Sequence, residues 1–139
     1  MFAFVPLVRL PLLSAVSRMV CRGENFDTQM VCDYNCEIYP LKEEGRLEVL
    51  MTSSLADDGR VDSEYNPQLQ SKLLDDYEYV MHGKVFKVKH PEKANADLEV
   101  FISYGGLLMS LKGKPQTLDR IELDSKVYLL MRRVKDAAF

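Results

Sequence analysis

His82 and His90 are the only two histidines in the chain and the only side chains that titrate near neutrality without help from their surroundings. Neither has a partner at a spacing that binds metal, and no serine or cysteine stands in a nucleophile elbow, so no catalytic residue, metal or other cofactor is expected. His82 falls in an alternating run on the face opposite Tyr79 and Met81, and His90 opens a turn before Pro91. The three cysteines, Cys21, Cys32 and Cys36, form an odd and sparse set that suits a reducing compartment. Cys32 and Cys36 alternate with polar residues alongside Met30, Tyr34 and Ile38. On a strand the two thiols would lie roughly 13 Å apart, too far for a disulfide or a shared zinc. They read as small core residues. The carboxylates of Asp57, Asp58, Asp62 and Glu64 could converge on a hard cation, but their spacing does not follow the EF-hand order. Asp58-Gly59 reads as a turn in a solvated acidic loop.

A second grouping is more suggestive. Tyr77, Tyr79, Phe86 and Phe101 are interleaved with Lys84, Lys87 and Lys89, the mixture of rings and cations that binders of single strands use on small barrels. The bland alternative is that the rings are core and the lysines a solvated edge that discourages strand pairing. A net charge of −3 favours the bland alternative, because nucleic-acid affinity draws on a surplus of cations. The surplus here is local: residues 1–23 hold Arg9, Arg18 and Arg22 and no acid, leaving −6 on the rest.

The elements that must position these groups are strands. Length and composition fit one domain of 139 residues with 47% apolar content, and no run of 18 apolar residues could span a bilayer. Alternating patterns separated by turn signals predict strands at 16–22, 29–39, 46–53, 77–89, 98–104, 107–112 and 120–133, the last interrupted near Asp124-Ser125. Such a series points to an all-β barrel or sandwich. Leu98, Val100, Ile102 and Tyr104 share one face, as do Leu107, Met109 and Leu111, and Gly105-Gly106 between them is a hairpin signal. Those glycines are no phosphate cradle, since a strand rather than a helix follows. Residues 54–76 read as a mobile loop, 90–97 as an exposed turn, and 115–119 as a connection holding a helical turn.

Residues 1–20 are apolar and free of acid, but Pro6, Arg9 and Pro11 break the uninterrupted core of a secretory signal and the helix of a transit peptide. They read as an atypical start on an otherwise ordinary domain. The expected division is an N-terminal segment over 1–15, a barrel over 16–134 and a tail over 135–139.

Four ordered segments resemble a known family: CEIYP at 36–40, DYEYVMHGKVFKV at 76–88, SYGGLLMSLKG at 103–113 and ELDSKVYLLMRR at 122–133. DDGRVDSEYNP at 57–67 adds an acidic connection. Together they resemble the small eighth subunit shared by eukaryotic nuclear RNA polymerases I, II and III. The resemblance implies an antiparallel β-barrel of OB-fold type with internal pseudo-symmetry, non-catalytic, docking on the largest polymerase subunit beside the other subunits. It implies a nuclear location, nucleolar for polymerase I, with no membrane and no small-molecule substrate. It also implies weak, sequence-independent binding of single-stranded DNA. Val16, Ser17, Arg18, Met19 and Arg22 are the corresponding residues, with Arg18 in the basic place of a Val-x-Arg pattern. The alternative is a free single-stranded nucleic-acid-binding OB-fold protein. Residues 1–15 lack the family's opening strand, Asp-Pro turn and lysine-rich approach. The first strand is therefore expected to be missing, or replaced by residues 2–10, through an alternative or misassigned start.

Overall fold

A computed structural model describes residues 2–12, 14–24, 28–41, 45–53, 72–93 and 96–134. In chain order they form β1 (Phe2–Pro11), β2 (Val16–Gly23), β3 (Gln29–Asn35), β4 (Leu47–Thr52), a short helix α1 (Lys72–Asp76), β5 (Tyr79–Lys89), β6 (Leu98–Tyr104), β7 (Leu107–Gly113), the single turn α2 (Pro115–Leu118) and β8 (Lys126–Arg133). Every strand pair is antiparallel, and the ring β1-β2-β3-β7-β6-β5-β8-β4 closes through β1 and β4. Closure leaves none of these strands with an open edge.

The amino terminus takes the second of its two expected forms, a replaced first strand rather than a missing one. Residues 2–11 form β1, which pairs with β2 from Phe4↔Gly23 to Pro11↔Ser17 and with β4 from Phe2↔Val49 to Phe4↔Leu47. The barrel is therefore not short of a strand, and the expected boundary at 15/16 falls between two paired strands. Pro6 and Pro11 break a helix but are tolerated here, because a register shift between Pro6 and Val8 takes up the irregularity. Two predicted strands are also shorter than expected. β3 stops at Asn35, whose side-chain oxygen accepts from the backbone of Glu37 and Ile38 and turns the chain. β8 starts only at Lys126, after a turn in which Asp124 adopts φ 66°. The acidic cluster and most of the predicted 54–76 loop lie outside the described residues, as does the 135–139 tail.

The ring has a two-fold pattern. Advancing each strand of β1–β4 by four positions gives β5–β8 and reproduces every pairing: β1-β2-β3 answers β5-β6-β7, β4 answers β8, and the closing pair β1-β4 answers β5-β8. The irregularities correspond as well, since β5 shifts register against β6 between Val85 and Lys87 just as β1 does against β2. The two halves meet twice, where β3 pairs with β7 and where β4 pairs with β8. At Val31↔Ser110 and at Leu50↔Leu130 each residue faces its own counterpart, so these pairs mark the two poles of the pseudo-axis.

Alternation places the core inside. Met19 and Cys21 of β2, Met30, Cys32 and Tyr34 of β3, Val100, Ile102 and Tyr104 of β6, and Met109 and Leu111 of β7 are buried. Ile38, predicted to share their face, is 70% exposed because it sits in the turn after β3. Gly105 and Gly106 take φ values of 62° and 101°, the positive pair that a tight hairpin needs. Gly83 serves a different purpose: a Cβ there would run into the Ser103 carbonyl and the Tyr104 ring, so the strands approach this closely only over glycine.

Candidate nucleic-acid interface

The five residues expected to touch single-stranded DNA all lie on β2, but alternation splits them between its two faces. Ser17 and Met19 point into the barrel and are buried, whereas Val16, Arg18 and Arg22 face outward. Arg22 is exposed; Arg18 is engaged. It stands opposite Asp33 on β3, and its guanidinium donates from Nε (2.6 Å) and a terminal nitrogen (3.1 Å) to the two carboxylate oxygens. The side chain of Asp33 is only 6% exposed, and it also accepts from the backbone of Leu108 on β7 at 3.0 Å. A carboxylate buried this far depends on its bidentate partner, so the pair ties three strands together and neutralises the cation expected to meet phosphate. The hydrogen bond to Asp33 accordingly raises the Arg18 pKa.

The ring-and-cation grouping also divides. Tyr79 is core, stacked on Tyr39 with centroids 5.1 Å apart, and its hydroxyl accepts from the backbone of Asn35. Tyr77 is half-buried beneath the Arg132 guanidinium, 4.9 Å from its centroid. Phe86 and Phe101 instead lie on the outside, which corrects the reading of all four rings as core. Both alternate with buried neighbours, Val85 and Val100, and the β5 bulge after Phe86 turns Lys87 outward as well. Val85 gives its N–H to Ser125 and its carbonyl to Asp124, and pairing with β6 resumes at Lys87↔Phe101. Phe86, left between the two registers, points out and is 48% exposed. Its ring centroid is 6.2 Å from that of Phe101, over which Lys87 Nζ sits at 5.4 Å. Lys84 and Lys89 flank them on the same strand, opposite Ser103 and Glu99.

A model of the RNA polymerase Rpb8 family matches residues 12–133. The chain is 42% identical over 120 residues to the Dictyostelium discoideum protein named DNA-directed RNA polymerases I, II, and III subunit rpabc3, covering 85% of this chain and 82% of that one. It is 37% identical over 121 residues to the probable RPABC3 subunit of Caenorhabditis elegans, with the same coverage. Against the RPABC3 subunit of Saccharomyces cerevisiae it is 34% identical over 128 residues, covering 82% and 85%. The chain belongs to the Rpb8 family. The family match begins after β1, so the strand that closes this Rpb8-family barrel lies outside the matched span.

Two clusters in the Rpb8-family barrel escaped the sequence reading. Glu78 accepts from the Tyr39 hydroxyl (2.8 Å), the Arg133 backbone (2.7 Å) and the Arg133 guanidinium (3.1 Å twice), and Arg133 lies 5.1 Å over the Tyr39 ring. These donors, the guanidinium foremost, lower the Glu78 carboxyl to about 2. Arg132 holds Glu48 and donates to the Asp76 carbonyl while covering Tyr77. In the sequence only the adjacency Tyr77-Glu78 and Arg132-Arg133 hinted at either; the β5–β8 register brings the pairs together. A pocket of about 570 Å³ at the end of the barrel is lined by Arg9, Arg46 and Arg133, of which Arg46 is paired with Glu24 and Arg133 with Glu78. Burial raises the Cys21 thiol to about 12 and pushes Cys32 up as well, so neither supplies a thiolate near neutrality. Among the described residues no group of three or more His, Cys, Asp or Glu could hold a metal.

Proposed function

We propose that this chain is a non-catalytic assembly subunit of DNA-directed RNA polymerases I, II and III, in the nucleus and, with polymerase I, the nucleolus. In this reading it docks on the largest subunit, contacts other polymerase subunits, and leaves nucleotide chemistry to them. The observation that carries the reading is the family match over nearly the whole barrel, to relatives named as shared polymerase subunits. Weak binding of single-stranded DNA through β2 is a second property of the same reading. Arg22 supplies the accessible cation, Val16 and Arg18 flank it, and Ser17 and Met19 act only by holding the strand in place.

The test is purification of tagged full-length protein from its own cells, followed by mass spectrometry. The largest subunits of all three polymerases should co-purify in comparable amounts; their absence would sink the assignment. A free nucleic-acid-binding barrel is the competing reading. It predicts recovery without polymerase subunits, together with oligonucleotide affinity that falls steeply with salt.

A further inference from the structure

Three features compete for a role that the assembly reading leaves unused: the arginine-lined pocket, the exposed residues Leu12 and Ile38, and the rings at the β5 bulge. Two of the three pocket arginines already hold carboxylates. Nothing indicates what would cover Leu12 and Ile38. At the bulge, geometry and charge agree.

We propose that the outer surface of β5 and β6, centred on Phe86 and Phe101, is a binding platform for single-stranded nucleic acid whose rings lie outside the β2 segment. A bulge is a recurrent device for re-aiming one side chain: Phe86 faces outward by alternation from the buried Val85, and the register shift then turns Lys87 to the same side, opposite Phe101. Two neighbouring rings, tilted by 47°, offer bases a stacking surface that tolerates any sequence. Lys84, Lys87 and Lys89 share the outer face of β5 because the bulge absorbs the extra residue between Lys84 and Lys87, and Lys112 stands on the far side of Glu99. The acids nearby are Glu99, opposite Lys89 and Lys112, and Asp124, 3.7 Å from Lys84. Cations outnumber them, so the surface complements a polyanion. A protein partner fits less well, because interface cores are depleted in lysine and favour arginine. Arg18 on β2 is three strand steps from β6 in the ring, roughly 14 Å, and Arg22 borders the surface two steps from Lys112, so the ring variants rather than Arg22 distinguish the platform from the β2 segment.

The platform does not depend on polymerase membership, and the experiment keeps the two apart. Full-length protein is titrated into fluorescently labelled oligothymidylate and, in a parallel arm, oligouridylate of equal length, and anisotropy is followed across a salt series. Binding should appear at low salt, and the tighter arm names the natural strand. Phe86→Ala and Phe101→Ala should each weaken it about tenfold. Lys87→Gln and Lys89→Gln should each reduce the slope of log affinity against log salt by about 0.7. Arg46→Gln, beside β4 three strands from β6 and paired with Glu24, should leave both unchanged. Circular dichroism confirms that each variant is folded. The proposal is overturned if neither oligonucleotide binds at low salt, or if folded ring and lysine variants bind like the parent. It is equally overturned if those variants keep oligonucleotide affinity but lose co-purification with polymerase subunits, which would make the surface a protein interface.

Discussion

The two poles of the pseudo-axis are topologically equivalent, yet the chain treats them differently. At Leu50↔Leu130 the outside of the barrel is sealed. Tyr128 and Leu130 are fully buried, with Leu50, Leu74 of α1, Tyr77 and Val80 packed on them, so β8 is buried along five consecutive residues. At Val31↔Ser110 the outside stays open. Val20, Val31 and Phe101 are only partly covered, Leu108 is 43% exposed, and cations border the patch at Arg22, Lys87, Lys89 and Lys112. Symmetry of the ring fixes where a covering element could go. Leu74 of α1 and Tyr77, just before β5, cover one pole; among the described residues nothing covers the other, which is left to meet solvent or a partner.

The sharpest way to break this contrast is to remove the same atoms on both sides. Leu130→Ala should cost about 3 kcal/mol, because the cavity would be enclosed between barrel and α1 among apolar side chains. Leu108→Ala on the open side should change stability by under about 0.5 kcal/mol. Urea unfolding midpoints measure both, and equal costs would mean that the open pole is covered too.

The latch comes next. Arg132→Ala removes the cation above Tyr77 and the donor to Asp76, and should destabilise the protein by about 1 kcal/mol. Amide exchange in residues 72–77 should accelerate more than in β2 or β3. Uniform acceleration across the barrel would show that α1 is no separate cover.

A smaller effect depends on pH. Glu78 follows Tyr77 directly and joins the end of β8 to the turn after β3 through Arg133 and Tyr39. Its folded pKa, about 2, lies below its ordinary 4.5, so its contribution is complete above about 4.5 and is lost as pH falls toward about 2. Denaturation midpoints should fall over that window, and Glu78→Gln should flatten the fall without steepening it. An unchanged pH profile in Glu78→Gln would place the acid sensitivity elsewhere. The smallest difference concerns the ion pair of the open side: Arg18→Lys keeps the charge but loses the bidentate geometry, and should lower stability by about 0.5 kcal/mol. No change would mean that the bidentate geometry adds nothing.

Much of the barrel was legible because strands advertise themselves locally. A period of two, broken by glycine and by Asn or Asp turns, located seven of the strands, and Gly105-Gly106 gave the hairpin. β1 was legible only as one of two alternatives, because it is apolar without alternation, carries two prolines, and falls outside the span the family matches. The candidate site was legible only in part. Arg22 is as exposed as its charge suggests, but the loss of Arg18 to Asp33 follows from a β2–β3 register that neither residue announces.

The sequence by itself therefore determined the class of fold, the inward faces of β6 and β7, and the family, because each rests on residue order and short-range periodicity. Tertiary structure alone decided that residues 2–11 close the ring, that Lys87 turns outward beside Phe86, that Asp33 neutralises Arg18, and that one pole is sealed while its counterpart is open. Each of those outcomes depends on which residues face one another across strands distant in the chain. A one-residue shift in register moves a side chain from the core to the surface, and the local pattern does not record it.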